Sequence, residues 1–127
     1  MYRIKEEVIR NSSGVSAIPV ASTATVYTKS FLMEDGEYFD LKALAAGTTV
    51  DIQIDLEQSH QLPATEGAAD TYYSVSDAVT ANHNVKTYLH HNLSPRTATY
   101  GRFKLTGVGS NSANATIELW MAKQGQF

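Results

Sequence analysis

A chain of 127 residues without cysteine suits one domain with its own hydrophobic core, and it excludes a disulfide framework, a thiol nucleophile and any cysteine-held metal. The net charge of -3 is uneven: Glu34 to Asp77 holds ten acids against Lys42, the stretch from Lys86 onward carries +4, and the first 33 residues carry +2. So modest a basic segment argues against nucleic acid as a partner, and no apolar run approaches a membrane span.

The opening "MYRIKEEVIR" is too charged for a secretory leader, so an unprocessed, soluble, non-membrane product is expected. Within it, Ile4 and Val8 are spaced i,i+4 and Glu6 stands four before Arg10, which allows one or two helical turns. "NSSGVSAIP", closed by Pro19, reads as a tether. Residues 1–19 are therefore expected to form an arm and tether, and residues 20–127 a β-sandwich domain. Such an arm either covers the open end of its own sandwich or reaches a neighbouring molecule.

Next, "TATVYTKSFLM" and "YFDLKAL" flank Asp35-Gly36, a strong hairpin cue. In the first arm Val26 and Leu32 oppose Tyr27, Phe31 and Met33, a blurred alternation that suggests cover on both sides; Phe39 and Leu41 give the second arm an inner face. "TVDIQIDLEQ" is the clearest strand, with Val50, Ile52, Ile54 and Leu56 alternating with Asp51, Gln53, Asp55 and Glu57. "SVSDAVTAN" allows a helical turn capped by Ser76. "VKTYLHHNL" alternates up to the Ser94-Pro95 turn, and "TYGRFKLTG" turns Phe103 and Leu105 inward and Tyr100, Arg102 and Lys104 outward. "GVGSNSAN" supplies turn residues before "ATIELWMAKQ", so the last two strands are expected to pair as a hairpin. That last strand sets Ile117, Leu119 and Met121 on one side and Glu118 and Trp120 on the other. Strands separated by Gly, Asn, Asp and Pro signals give an all-β fold, an antiparallel sandwich or barrel. The acidic middle and basic end are expected to meet as neighbouring strands or as complementary patches between copies, with the first favoured.

Catalytic signatures are missing: no nucleophile elbow, phosphate-cradling loop, HExxH or glycine fingerprint occurs. Asp55 and Glu57 share a strand face, but a solvated polar face predicts the same pattern. Of the four histidines, His90 and His91 are adjacent in a strand and point to opposite faces, while His60 and His83 fall in loops, so no metal or other cofactor is expected. "EDGEYFD" lacks the spacing of a calcium loop and reads as a charged turn. Asn11, Asn92 and Asn114 begin N-x-S/T sequons of no special weight in a Ser- and Thr-rich chain.

Surface aromatic chemistry remains. If the last two strands pair, Trp120 shares the outward side with Tyr100, Arg102 and Lys104, and Tyr88 joins from the preceding strand. Trp, Tyr and Arg are the types in which binding energy concentrates. The candidate interface is therefore Tyr2, Ile4, Val8 and Ile9 of the arm with Tyr88, Tyr100, Arg102 and Trp120; cover by a second sheet or by the N-terminal segment is the competing reading. In texture, "VDIQIDLEQS" and "YGRFKLTGVGSNSANATIELWMAKQ" resemble small β-sandwich virion proteins of tailed bacteriophages, a group that includes jelly-roll capsid decoration, or cement, proteins. The resemblance implies a jelly-roll-like sandwich with no catalysis, made in the host cytoplasm and carried on the capsid surface. It also implies a homo-oligomer that binds the major capsid protein or another virion protein. The alternative is a carbohydrate- or receptor-binding sandwich of a phage tail or adhesin, with Trp120 and Tyr100 stacking on sugar rings.

Overall fold

The computed structural model describes residues 3–32, 38–46, 51–60, 72–74, 79–81, 88–92, 100–108 and 115–125. Among them the strands are β1 (Arg3–Ile9), β2 (Ile18–Pro19), β3 (Thr25–Tyr27), β4 (Phe31–Leu32), β5 (Tyr38–Ala46), β6 (Asp51–Ser59), β7 (Tyr73–Ser74), β8 (Val79–Ala81), β9 (Tyr88–Asn92), β10 (Tyr100–Val108) and β11 (Thr116–Gly125). All pairings are antiparallel. Sheet A runs β1-β11-β5-β9, with β2 also on β11; sheet B runs β3-β10-β6-β7, with β4 also on β10 and β8 also on β6. The fold is an all-β sandwich. Counting β3 with β4 and β7 with β8 as single interrupted strands, the two orders interleave as in a jelly roll.

The core follows from period-two alternation. Ile52, Ile54 and Leu56 of β6, and Phe103 and Leu105 of β10, face Leu41, Ala43 and Ala45 of β5 and Ile117, Leu119 and Met121 of β11, all buried in one cluster. Each large side chain buried this way contributes about 1.5–3 kcal/mol. Phe31 packs its ring against Phe103 with centroids 5.4 Å apart.

Jelly-roll connectivity corrects two expected hairpins. Residues 33–37, which include Asp35-Gly36, lie outside the described residues, but β4 before them pairs with β10 in sheet B and β5 after them pairs with β11 in sheet A. Likewise β10 belongs to sheet B and β11 to sheet A, so the last two strands cross the sandwich instead of pairing. The turn chemistry specifies a reversal of the chain, which a crossing between sheets satisfies as well as a hairpin does.

The N-terminal expectations also change. Arg3–Ile9 is a strand, not helical turns, and lies along β11 from Arg3↔Gly125 to Ile9↔Leu119 on the chain's own sheet. The expected tether is ordered locally: the Asn11 side-chain oxygen accepts from the amides of Ser13 (3.0 Å) and Val15 (2.9 Å), and Gly14 sits at φ +81. It then enters β2, where Ile18 is buried. Val79–Ala81 forms a strand on β6 where a helical turn was expected; Ser76 lies outside the described residues.

The blurred alternation near Tyr27 has a different cause from the one expected. Lys104 opposes Tyr27 while Gly101 opposes Phe31, so three steps along β10 match four along the other chain segment. The extra residue is a bulge, which swaps the face of every residue after it. Thr28 closes it: its amide donates to the Phe103 carbonyl (2.9 Å), and its hydroxyl oxygen accepts from the Phe103 amide (2.9 Å).

The turn before β3 holds strain. The Ala24 amide donates to the Ala21 carbonyl (3.1 Å), and Thr23 inside that turn has φ 62, a left-handed conformation that β-branched residues disfavour. Thr23→Asn is expected to raise the unfolding free energy by about 0.5–1 kcal/mol, read from the urea midpoint at unchanged slope.

Candidate functional site

Because β10 and β11 lie in different sheets, the proposed aromatic face splits in two. On the outer face of sheet B, Arg102 is buried inside its own copy, which removes it from any contact surface. Its Nε donates to Glu57 Oε1 at 2.9 Å, and its guanidinium carbon lies 4.0 Å from the Tyr27 ring centroid and 4.1 Å from that of Tyr72. The Tyr72 hydroxyl is 2.6 Å from the Ser30 hydroxyl oxygen. A planar cation between two aromatic faces, with a carboxylate at its edge, is a favourable stack. This clamp closes over the bulge and orders the two strand fragments β3 and β4 against β10. Tyr100 is half-buried beside it, paired in register with Leu32 and Ser59.

The charge asymmetry is resolved in the same place. Acidic β6 pairs with basic β10, setting Glu57 opposite Arg102 and Asp55 opposite Lys104. Glu57, which shares its strand face with Asp55, is thus engaged by Arg102. Among the described residues no group of three or more His, Asp or Glu is placed to hold a metal ion. His90 pairs with Lys42 and His91 with Leu41, so their backbones alternate as expected.

On the outer face of sheet A, Val8 of β1, Trp120 of β11 and Lys42 of β5 stand side by side in one cross-strand row. Trp120 is half-buried and Val8 is 40% exposed. Lys42 extends over the indole, its Nζ 5.2 Å from the ring centroid, and ends 3.3 Å from Glu6 Oε2. This half-exposed ion pair contributes under about 1 kcal/mol, yet it fixes the ring between an ammonium and an aliphatic neighbour. Leu44 and Ala122, both half-buried, extend the apolar strip along the same face. Lys42 and Glu6 escaped the sequence reading because they are 36 residues apart and meet only across β11.

The remaining candidates fall as follows. Ile9 is buried in the core, because it points inward beside Leu119; this corrects its place in the interface. The backbone of Tyr88 pairs with Leu44 in sheet A, on the Trp120 sheet and not with Tyr100. Ile4 occupies β1 opposite Gln124, and Tyr2 lies outside the described residues. A cavity of about 180 Å³ opens at the sandwich edge between Glu7–Arg10 and Lys29–Phe31. It is smaller than typical ligand pockets of ~300–1,000 Å³. Among the described residues, the outer face of sheet A presents an aromatic and aliphatic strip bordered by a Lys–Glu pair. No protein-family model matches the chain, and no curated protein matches it.

Proposed function

We propose that this chain is a non-enzymatic virion structural protein of the capsid decoration type, which binds an assembled phage shell through the outer face of sheet A. The observation that carries the reading is Trp120, the only tryptophan of the chain, half-buried on the outer face of sheet A in line with exposed Val8. An aromatic anchor in an aliphatic strip with a charged border has the make-up of a protein contact. The resemblance to small virion sandwiches supplies the partner class: the major capsid protein or another virion protein. Repetition over a lattice turns a modest contact into firm attachment. The chain would be made in the host cytoplasm and end on the capsid surface.

A glycan-binding sandwich is the second reading, since an exposed indole stacks on sugar rings. The Lys42 ammonium over the Trp120 ring weighs against it, because it occupies an approach that a sugar face needs.

Trp120→Ala is expected to weaken binding to shells assembled without this chain by roughly 30-fold per site, the effect of an anchor worth about 2 kcal/mol. Cosedimentation reads the loss, and a circular-dichroism melt with the cooperative transition retained separates it from unfolding. Retained shell binding in the variant, or wild-type binding to a glycan array with none to shells, would refute the proposal.

A further inference from the structure

We infer that β1 is the docking edge for a second copy of this chain, the two sheets A joining into one continuous sheet through an antiparallel β1–β1 pair. The inference goes beyond the shell-binding reading and does not depend on it. Among the described residues β1 pairs only with β11 and ends the order of sheet A. Its seven residues contain neither proline nor glycine, and Lys5, Glu6 and Val8 are exposed. An edge of this kind is a template for another strand, and edge charges decide which strand it accepts.

The sequence of β1, "RIKEEVI", complements itself in one register. A continuous sheet pairs like faces, so the two-fold axis must pass through a residue and not between two. Centred on Glu6, Ile4 opposes Val8 and Lys5 opposes Glu7, each pair occurring twice by symmetry, and Arg3 opposes Ile9. Centred on Lys5, Arg3 meets Glu7, but Ile4 meets Glu6 and Lys5 meets itself. Centred on Glu7, Glu6 meets Val8 and Glu7 meets itself. Only the first register matches apolar with apolar and lysine with glutamate. Its one like-charge conflict, Glu6 against Glu6, is relieved from within each copy, where Lys42 Nζ sits 3.3 Å from Glu6; Arg3 against Ile9, at the two ends of the pair, contributes no matched contact.

The geometry of such a pair has a use. The two-fold axis stands perpendicular to the shared sheet, so both Trp120 strips face the same side. Three strand spacings across and four residues along put the two indoles roughly 20 Å apart. One dimer then offers two anchors to one surface.

Sedimentation equilibrium of the full chain at micromolar concentration tests this without any shell, so failure of shell binding leaves the result unaffected. The expected mass is twice that of the chain. Lys5→Glu and Glu7→Lys should each weaken dimerisation at least tenfold, and the combined K5E/E7K chain should recover to within about threefold of wild type, since it restores both unlike pairs. Hydrogen exchange on the wild-type protein gives a second readout, with protection of β1 amides expected to rise with protein concentration. A monomer throughout, a dimer indifferent to the single reversals, a double variant no better than the singles, or β1 exchange independent of concentration would each overturn the inference.

Discussion

Arg102→Ala is expected to lower the unfolding free energy by about 3–5 kcal/mol, the cost of removing one partner from a buried ion pair. The side chains of Arg102 and Glu57 are only 1% and 13% exposed. Truncation strands the Glu57 carboxylate and empties the space between the Tyr27 and Tyr72 rings, so β3 loses a side-chain tie to β10 and the bulge is left to the two Thr28–Phe103 bonds. Lysine does not substitute, because an ammonium cannot lie flat between two rings while donating sideways to a carboxylate. Replacing both partners, as Arg102→Met with Glu57→Leu, should return most of the loss. Urea unfolding of the two single variants and the double variant gives the coupling directly. A single-variant loss below about 1 kcal/mol would place the pair with ordinary surface salt bridges and refute the clamp.

Gly107→Ala is expected to be about as damaging. A Cβ at residue 107 would fall onto the carbonyl of Ala21, with the carbonyl carbon at 2.8 Å and Ser22 Cα at 3.3 Å. All of these are backbone atoms, so no side-chain rotation relieves the contact. The same glycine is bonded to that turn twice: its amide donates to the Ala24 carbonyl (2.9 Å) and its carbonyl accepts from the Thr23 amide (3.0 Å). The methyl group must break this docking or displace β10. A loss of about 3 kcal/mol or more is expected, at the upper end of overpacking costs, visible as a lower melting temperature. Wild-type stability in the variant would mean that residues 21–24 do not sit on β10.

These two sites show which parts of the structure could be read from the chain. β6 is legible from Asp51 to Glu57, where each core residue alternates with a polar one, but not at its end, where Gln58 and Ser59 are both buried. The inward Phe103 and Leu105 followed from the same rule, as did the outward direction of Arg102. The burial of Arg102 did not follow, since its cover comes from Tyr27 and Tyr72 in distant parts of the chain. β1 was misread because Ile4 and Val8, four residues apart, fit a period of two as well as 3.6; the open side of β11 decides between them. Both hairpins failed for the reason that Asp-Gly and Gly/Ser/Asn stretches specify a bend and say nothing about which sheet receives the returning strand. Trp120 was rightly set opposite the core residues of its strand, but its neighbours are Val8 and Lys42, which no local pattern in β11 announces.

Trp120 as the sole tryptophan also makes the adhesive face directly observable. Acrylamide quenching of its fluorescence, followed while phage heads assembled without this chain are added, is the measurement closest to the central claim. Quenching is expected to fall and the emission to shift to the blue as the chain binds, in proportion to occupied sites. Binding that leaves both quenching and emission unchanged would contradict it, as would quenching that stays constant because the chain does not bind the heads.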